Sequence, residues 1–237
     1  MSRSRQPLSR LKQVLGALVG MIERLFPPGQ SAEQKQFSDI CRRNVLRGLE
    51  SRSGSGSSLE QTAAVRAAIP ALLKEFGVKT MIDAPCGDFF WMQHTELGVE
   101  QYLGIDIVQE LIARGQKQFG GKNRQFLCLN IIEDVLPAAD LILCRDCLVH
   151  LSFSQARKAL QNFQRSGARY VLTTTFTGRD RNVDLVGKDI WRTLNLERPP
   201  FNLPKPLRLI EERCTEGDGR YADKSLGLWA LQDLNLR

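Results

Sequence analysis

Alternation of strand-like and helix-like segments predicts an α/β fold for this sequence, a doubly wound and mostly parallel sheet with helices on both faces. Three observations predict it. Five short apolar runs recur between Lys79 and Thr174, with stretches of helical periodicity between them. Two further runs, Leu207–Glu211 and Leu226–Leu231, are joined by the turn-rich Thr215–Arg220 with no helix between, which predicts an antiparallel pair. A flexible run of small residues, Arg52-Ser-Gly-Ser-Gly-Ser-Ser58, precedes all of this and sets the predicted boundary between an extension over 1–52 and one α/β domain over 53–237.

The extension opens on an amphipathic stretch. Leu8, Leu11, Leu15, Leu18, Ile22 and Leu25 recur at spacings of three and four, so they share one helical stripe, which Pro27-Pro28 ends. Lys12, Glu23 and Arg24 interrupt it, and its uninterrupted apolar part is too short to span a bilayer. No small-residue cleavage site follows, which argues against a secretory signal. Two readings of residues 8–26 stay open. The stripe packs against the domain or a partner helix, or it lies on an anionic membrane surface with Arg3, Arg5, Arg10 and Lys12 at the headgroups. A cytoplasmic protein, free or peripheral to the inner face of a membrane, fits both; the oligomeric state is not legible. A second helix is predicted over Phe37–Leu49.

Within the α/β part a helix is predicted over Leu59–Phe76, stopped by Gly77. Strands follow at Lys79–Ala84, Gln101–Ile105, Gln125–Leu129, Leu141–Arg145 and Tyr170–Thr174, with helices over Val108–Phe119 and Ser154–Arg165. Phe176–Pro206 is much longer than a usual connection, and such segments often form lids or substrate walls.

The formal charge of +7 invites a nucleic-acid reading until it is located. Residues 1–52 hold ten Lys/Arg against four Asp/Glu, a net of +6, so the other 185 residues are near +1. The α/β domain is nearly neutral, which argues against nucleic acid as its partner. Six cysteines (41, 86, 128, 144, 147 and 214) are scattered, three of them in or beside apolar runs, which fits reduced thiols better than a disulfide framework. Cys144 and Cys147 form a single C-x-x-C pair; with only His94 and His150 in the chain, no metal site is expected.

The segment Met81-Ile-Asp-Ala-Pro-Cys-Gly-Asp-Phe89 resembles the first motif of class I S-adenosylmethionine-dependent methyltransferases, a strand ending in an acid before a glycine turn. Asp83 matches the acid and Gly87 the central glycine, while Pro85 and Phe89 stand where the family usually has glycine. Asp106 ends the second strand, 23 residues on, where the family has the carboxylate that binds both ribose hydroxyls. Asn130 sits where the family often has an Asp for the adenine amino group. Asp140–Arg145 and the following Asp146–Leu151 are similar to its fourth motif. The resemblance covers roughly residues 54–235. It implies a seven-stranded sheet with the last strand inserted antiparallel, S-adenosyl-L-methionine as cofactor, and Asp83, Gly87, Asp106, Asn130 and Arg145 around it. Asp83 and Asp106 also suit a plainer role as strand-end acids capping turns. Neither the G-x-G-x-x-G of nicotinamide dehydrogenases nor a P-loop is present.

Methyl transfer from a sulfonium is an in-line displacement, and a base is needed only if the acceptor must lose a proton. Asp146 and His150 follow the fourth strand and are the candidates; Asp146 would take a proton or orient the acceptor. His150, between apolar neighbours, reads equally as a base near neutrality or as a structural histidine. Trp91, Trp191 and Asn195 are candidates for the acceptor site, though a Trp more often plugs a core. The acceptor expected is a small molecule or carbohydrate-like compound, methylated at oxygen. A protein or RNA acceptor, or a scaffold that binds the cofactor without turnover, is the alternative.

Overall fold

The computed structural model describes residues 31–46 and 48–236. The amphipathic stretch over residues 8–26 lies outside them. The chain divides into two compact units, Met1–Asp39 and Ile40–Arg237. Helix α1 (Ala32–Arg42) begins where Ser31 Oγ accepts the Gln34 amide, a serine N-cap. It was predicted over Phe37–Leu49 but starts earlier and stops at Arg42. The cause is Asn44, which turns the chain at φ 47° and bridges both the amide and the carbonyl of Gly48 through its side chain.

In the second unit, α2 (Ala63–Glu75) ends at Gly77, whose φ of 59° suits glycine, and the Val78 amide returns to the Leu73 carbonyl. Strands β1 (Thr80–Asp83), β2 (Gln101–Asp106), β3 (Arg124–Cys128), β4 (Leu141–Cys144) and β5 (Tyr170–Phe176) are parallel. Helices α3 (Gln109–Phe119) and α4 (Phe153–Arg165) connect them. A reciprocal capping box between Ser152 and Gln155 starts α4. β6 (Arg208–Glu211) and β7 (Lys224–Ala230) complete seven strands in the order β3-β2-β1-β4-β5-β7-β6, with β7 antiparallel to both neighbours.

Central strands buried on both faces are continuously apolar, as β4 (Leu-Ile-Leu-Cys) is, with every residue fully buried. Two consequences of the topology position the site. The strand order reverses between β1 and β4, so a crevice opens at the carboxyl ends of these strands. The antiparallel register pairs Phe176, at the end of β5, with Lys224, at the start of β7, and Glu211 pairs with Ser225. Lys224 and the residue after β6, Glu212, therefore reach the same edge of the sheet as the ends of the parallel strands. No described helix is long and apolar enough to cross a membrane.

Candidate functional site

At the ends of β1 and β2 three carboxylates surround a turn. Asp83 is buried, and its Oδ2 accepts the Tyr102 hydroxyl proton at 2.6 Å. Burial lifts its pKa to about 7 against that hydrogen bond. Asp106 is buried too and accepts the Gly87 amide at 3.0 Å and the Val108 amide at 2.9 Å; burial outweighs these bonds and lifts its pKa to about 6. Gly87 has φ 56°, a backbone conformation that favours glycine, and a Cβ there would displace the Ser53 hydroxyl, 2.0 Å away. Phe89, at φ 60°, also takes a left-handed conformation, which costs about 1–2 kcal/mol for a residue with a Cβ. Its ring is buried against Tyr102, Phe119 and Phe126, and such burial contributes about 1.5–3 kcal/mol, enough to hold it there. The position loses the family's glycine and gains a core side chain.

At the ends of β4, β6 and β7 stands a buried ionic network. Arg145 donates from Nη2 to Glu212 Oε2 at 2.6 Å and to the Gly56 carbonyl at 2.9 Å, while Nη1 lies 3.2 Å from Asp146 Oδ2. Lys224 Nζ donates to the same Asp146 oxygen at 2.6 Å and lies 3.5 Å from Glu212. Burial would raise the pKa of Asp146, but Lys224 and Arg145 outweigh it and hold the carboxyl down, to about 2. Asp146 Oδ1 and Glu212 Oε1 are buried without a hydrogen-bond donor among the described residues.

A strap over residues 51–57 joins the two halves. Asp88 accepts from the Ser51 hydroxyl at 2.8 Å and the Arg52 amide at 2.7 Å, while further along the strap Ser55 donates to Glu216 at 2.6 Å and Gly56 meets Arg145. Beneath the strap is a cavity of about 300 Å³, whose lining includes Asp146, His150, Phe176, Trp191, Glu216 and Tyr221. The rings of Phe176, Trp191 and Tyr221 meet edge to face, with centroids 5.0–6.2 Å apart, and form one aromatic wall. Ile190–Arg192 docks on the turn after β4. Arg192 donates its amide to the Val149 carbonyl and its guanidinium to the Leu148 and Leu151 carbonyls, and His150 Nδ1 donates to the Ile190 carbonyl at 2.5 Å. That bond fixes the tautomer, so in the neutral ring the proton sits on Nδ1 and Nε2 carries the lone pair. Burial lowers the His150 pKa despite the Ile190 bond, so the ring is neutral at physiological pH.

No family model matches the sequence, and no curated protein matches it. Solved structures do. The [4+2]-cyclase SpnF aligns with 85% of this chain and 96% of that chain, at TM-score 0.57 and 13% identity. The N-methyltransferase NodS of Bradyrhizobium japonicum WM9 aligns with 72% of this chain and 96% of that chain, at TM-score 0.52 and 13% identity. The complex of NodS with S-adenosyl-L-homocysteine aligns with 49% of this chain, at TM-score 0.40 and 17% identity, and there the match spans 60% of that chain. The chain has the class I methyltransferase fold.

On the class I methyltransferase fold the expected residues fall into two groups. Asp83, Gly87, Asp106 and Asn130 stand at the ends of β1, β2 and β3. The Asn130 side-chain oxygen accepts the Ile132 amide, so it shapes its own turn. Asp146, His150 and Trp191 line the cavity. Arg145 is committed to the ionic network. Trp91 is buried in the core with the Arg145 guanidinium 5.6 Å from its ring centroid, and Asn195 is buried and pins the long connection through the Arg179 carbonyl and the Asn182 side chain. Neither is among the residues that line the cavity. Lys224, Glu212, Glu216 and Tyr221 carried no signal in the sequence, while Phe176 opens the long segment expected to form a lid or substrate wall. They sit at element ends or in turns, and only the strand reversal brings them together.

Proposed function

We propose that this protein transfers a methyl group from S-adenosyl-L-methionine to a small-molecule or carbohydrate-like acceptor at a hydroxyl oxygen. One observation carries the reading. On a single edge of a sheet with this fold, an acid-lined glycine turn stands beside a separate cavity that holds a neutral histidine. The name of one neighbour, the N-methyltransferase NodS, supports methyl transfer and not the choice of oxygen.

The residues at the first three strands fit the donor by charge. Asp83, Asp88 and Asp106 form no ion pair with a Lys or Arg side chain among the described residues, and S-adenosyl-L-methionine carries a net positive charge. Asp83, Gly87, Asp106 and Asn130 would hold it, and when bound it supplies an electrophilic methyl group. Ser51–Ser57 would exclude water above it. His150 accepts the acceptor's hydroxyl proton at Nε2 while Ile190 holds Nδ1–H in place. Asp146, already anionic and paired, orients the acceptor, and the wall of Trp191, Tyr221 and Phe176 meets its flat face. Residues 8–26 would supply a contact for a partner helix or an anionic membrane.

Titration of the wild type and Asp106→Ala with S-adenosyl-L-methionine by calorimetry tests the donor. Saturable micromolar binding, lost in the variant, supports the reading; a folded wild type that does not bind overturns it. A second reading, other chemistry on the same fold, is favoured by the neighbour described as a [4+2]-cyclase. Production of S-adenosyl-L-homocysteine with any acceptor separates the two.

A further inference from the structure

We infer that the acceptor cavity selects a compound carrying an ammonium group beside the hydroxyl to be methylated, on an aromatic or similarly flat body. The inference rests on the donor reading above and concerns the other substrate of the same site.

The argument starts from charge. Two cations, Arg145 and Lys224, pair with two anions, Asp146 and Glu212, and Glu216, which accepts from Ser55 at the cavity, adds a third carboxylate, which leaves one negative charge in excess. His150 adds nothing, because burial keeps it neutral. Both cations are spent within the network, Arg145 on Glu212, Asp146 and the Gly56 carbonyl, and Lys224 on Asp146 and Glu212. Uncompensated buried charge is costly, and the two buried oxygens that find no donor among the described residues, Asp146 Oδ1 and Glu212 Oε1, belong to this network. Asp146 and Glu216 line the cavity directly.

The same cavity is also lined by aromatic rings. Trp191 and Tyr221 lie 5.0 Å apart between ring centroids, and Phe176 completes the surface. Carboxylates and aromatic rings lining one cavity form an environment that stabilises an ammonium ion, and a carboxylate ligand would meet repulsion there. A cavity of about 300 Å³ is at the small end for ligand sites, which limits the acceptor to a compact molecule. The ammonium anchors and the hydroxyl reacts. His150 Nε2 takes the hydroxyl proton, the oxygen forms its bond to the methyl carbon, and the carbon–sulfur bond of the donor breaks, its electron pair staying on sulfur.

Three probes with one phenol and different tails test this: tyramine, 4-ethylphenol and 3-(4-hydroxyphenyl)propionate. Each is titrated into wild type, Glu216→Gln and Tyr221→Leu, with and without saturating S-adenosyl-L-homocysteine. Tyramine is expected to bind at least tenfold more tightly than 4-ethylphenol, and the propionate most weakly. Glu216→Gln is expected to cut the tyramine advantage to threefold or less and leave 4-ethylphenol unchanged, while Tyr221→Leu weakens both. Equal binding of the three, preference for the neutral or anionic probe, or no binding of tyramine overturns the inference. So does a Glu216→Gln variant that weakens S-adenosyl-L-methionine relative to S-adenosyl-L-homocysteine and leaves the probes alone, since the excess charge would then serve the donor's sulfonium. S-adenosyl-L-methionine binding in the same preparation keeps the two claims apart: intact donor binding with no ammonium preference removes only this inference.

Discussion

The two halves of the sheet edge use the same residue type in opposite ways. At the ends of β1 and β2, Asp83 and Asp106 are buried with only neutral donors, a tyrosine hydroxyl and backbone amides, and burial lifts their pKa values to about 7 and about 6. At the end of β4, Asp146 is half-buried beside Lys224 and Arg145, which hold it down to about 2. Burial acts in one direction on all three, and the presence of a fixed cation decides the outcome. In the proposed reading the first half takes a positive ligand and loses protons on binding it. The second half carries its own cations and keeps its charge.

The largest test of that contrast is stability. Glu212→Ala leaves the Arg145 guanidinium buried with one partner fewer, and it should cost about 3–5 kcal/mol in urea denaturation. Asp83→Asn, equally buried, keeps an oxygen for Tyr102 and should cost about 1 kcal/mol or less. Similar costs at both positions would erase the distinction. The next effect is on rate. His150→Phe should lower kcat by about 10²–10⁴-fold with an accepted hydroxyl substrate and leave the Kd of S-adenosyl-L-methionine unchanged. A loss confined to KM would make the histidine a binding residue.

A third test is titration. Asp83 and Asp106 must ionise to meet a cationic ligand, so donor affinity should rise about tenfold between pH 5.5 and pH 8, with proton release seen as a buffer-dependent calorimetric enthalpy. Asp83→Asn should flatten the upper part of that rise. Linkage fixes the sign for the ligand-free protein. A carboxyl whose pKa is raised by folding contributes stability that is fully present below pH 3.8 and lost as pH rises through about 7, so thermal melts should show ligand stabilising the protein more at pH 8 than at pH 6. His150, whose pKa is lowered, works the other way, with stability lost as pH falls below 6.5. The last test concerns the strap: Ser51→Ala removes the hydrogen bond to Asp88 and the acceptor of the Ser53 amide, and should cost about 1 kcal/mol in urea denaturation.

Much of the first half was legible in the sequence. Lys79–Ala84 and Gln101–Ile105 became Thr80–Asp83 and Gln101–Asp106: both are short, mostly apolar stretches, too short for a helix, and the acids at their ends mark where the chain leaves the core. The second half was legible only in part. Asp146 and His150 follow β4 directly, so their edge was predictable from strand order. Lys224, Glu212 and Glu216 were not, because no local period marks a charge that will be buried, and their meeting depends on β7 running against β5. The two tryptophans show the same limit. Trp191 reaches the cavity because Arg192 pins the long connection to the turn after β4, while Trp91 fills the core, and composition alone distinguishes neither.

The strap over residues 51–57 has a consequence for how the chain can be divided. A boundary placed at the small-residue junction, between Arg52 and Ser53, passes through the roof shared by both halves. A chain beginning at Leu59 would keep all seven strands, since the first starts at Thr80. It would also uncover Asp88, Arg145 and Glu216, which lose their serine, glycine and amide partners together. Such a truncated protein would still fold by every measure of secondary structure, yet it would be open to water on the face where chemistry takes place. If the proposed reading holds, the shortest sequence that folds and the shortest sequence that works should differ in length, and comparing the circular dichroism and turnover of a chain beginning at Leu59 with those of the full chain checks it.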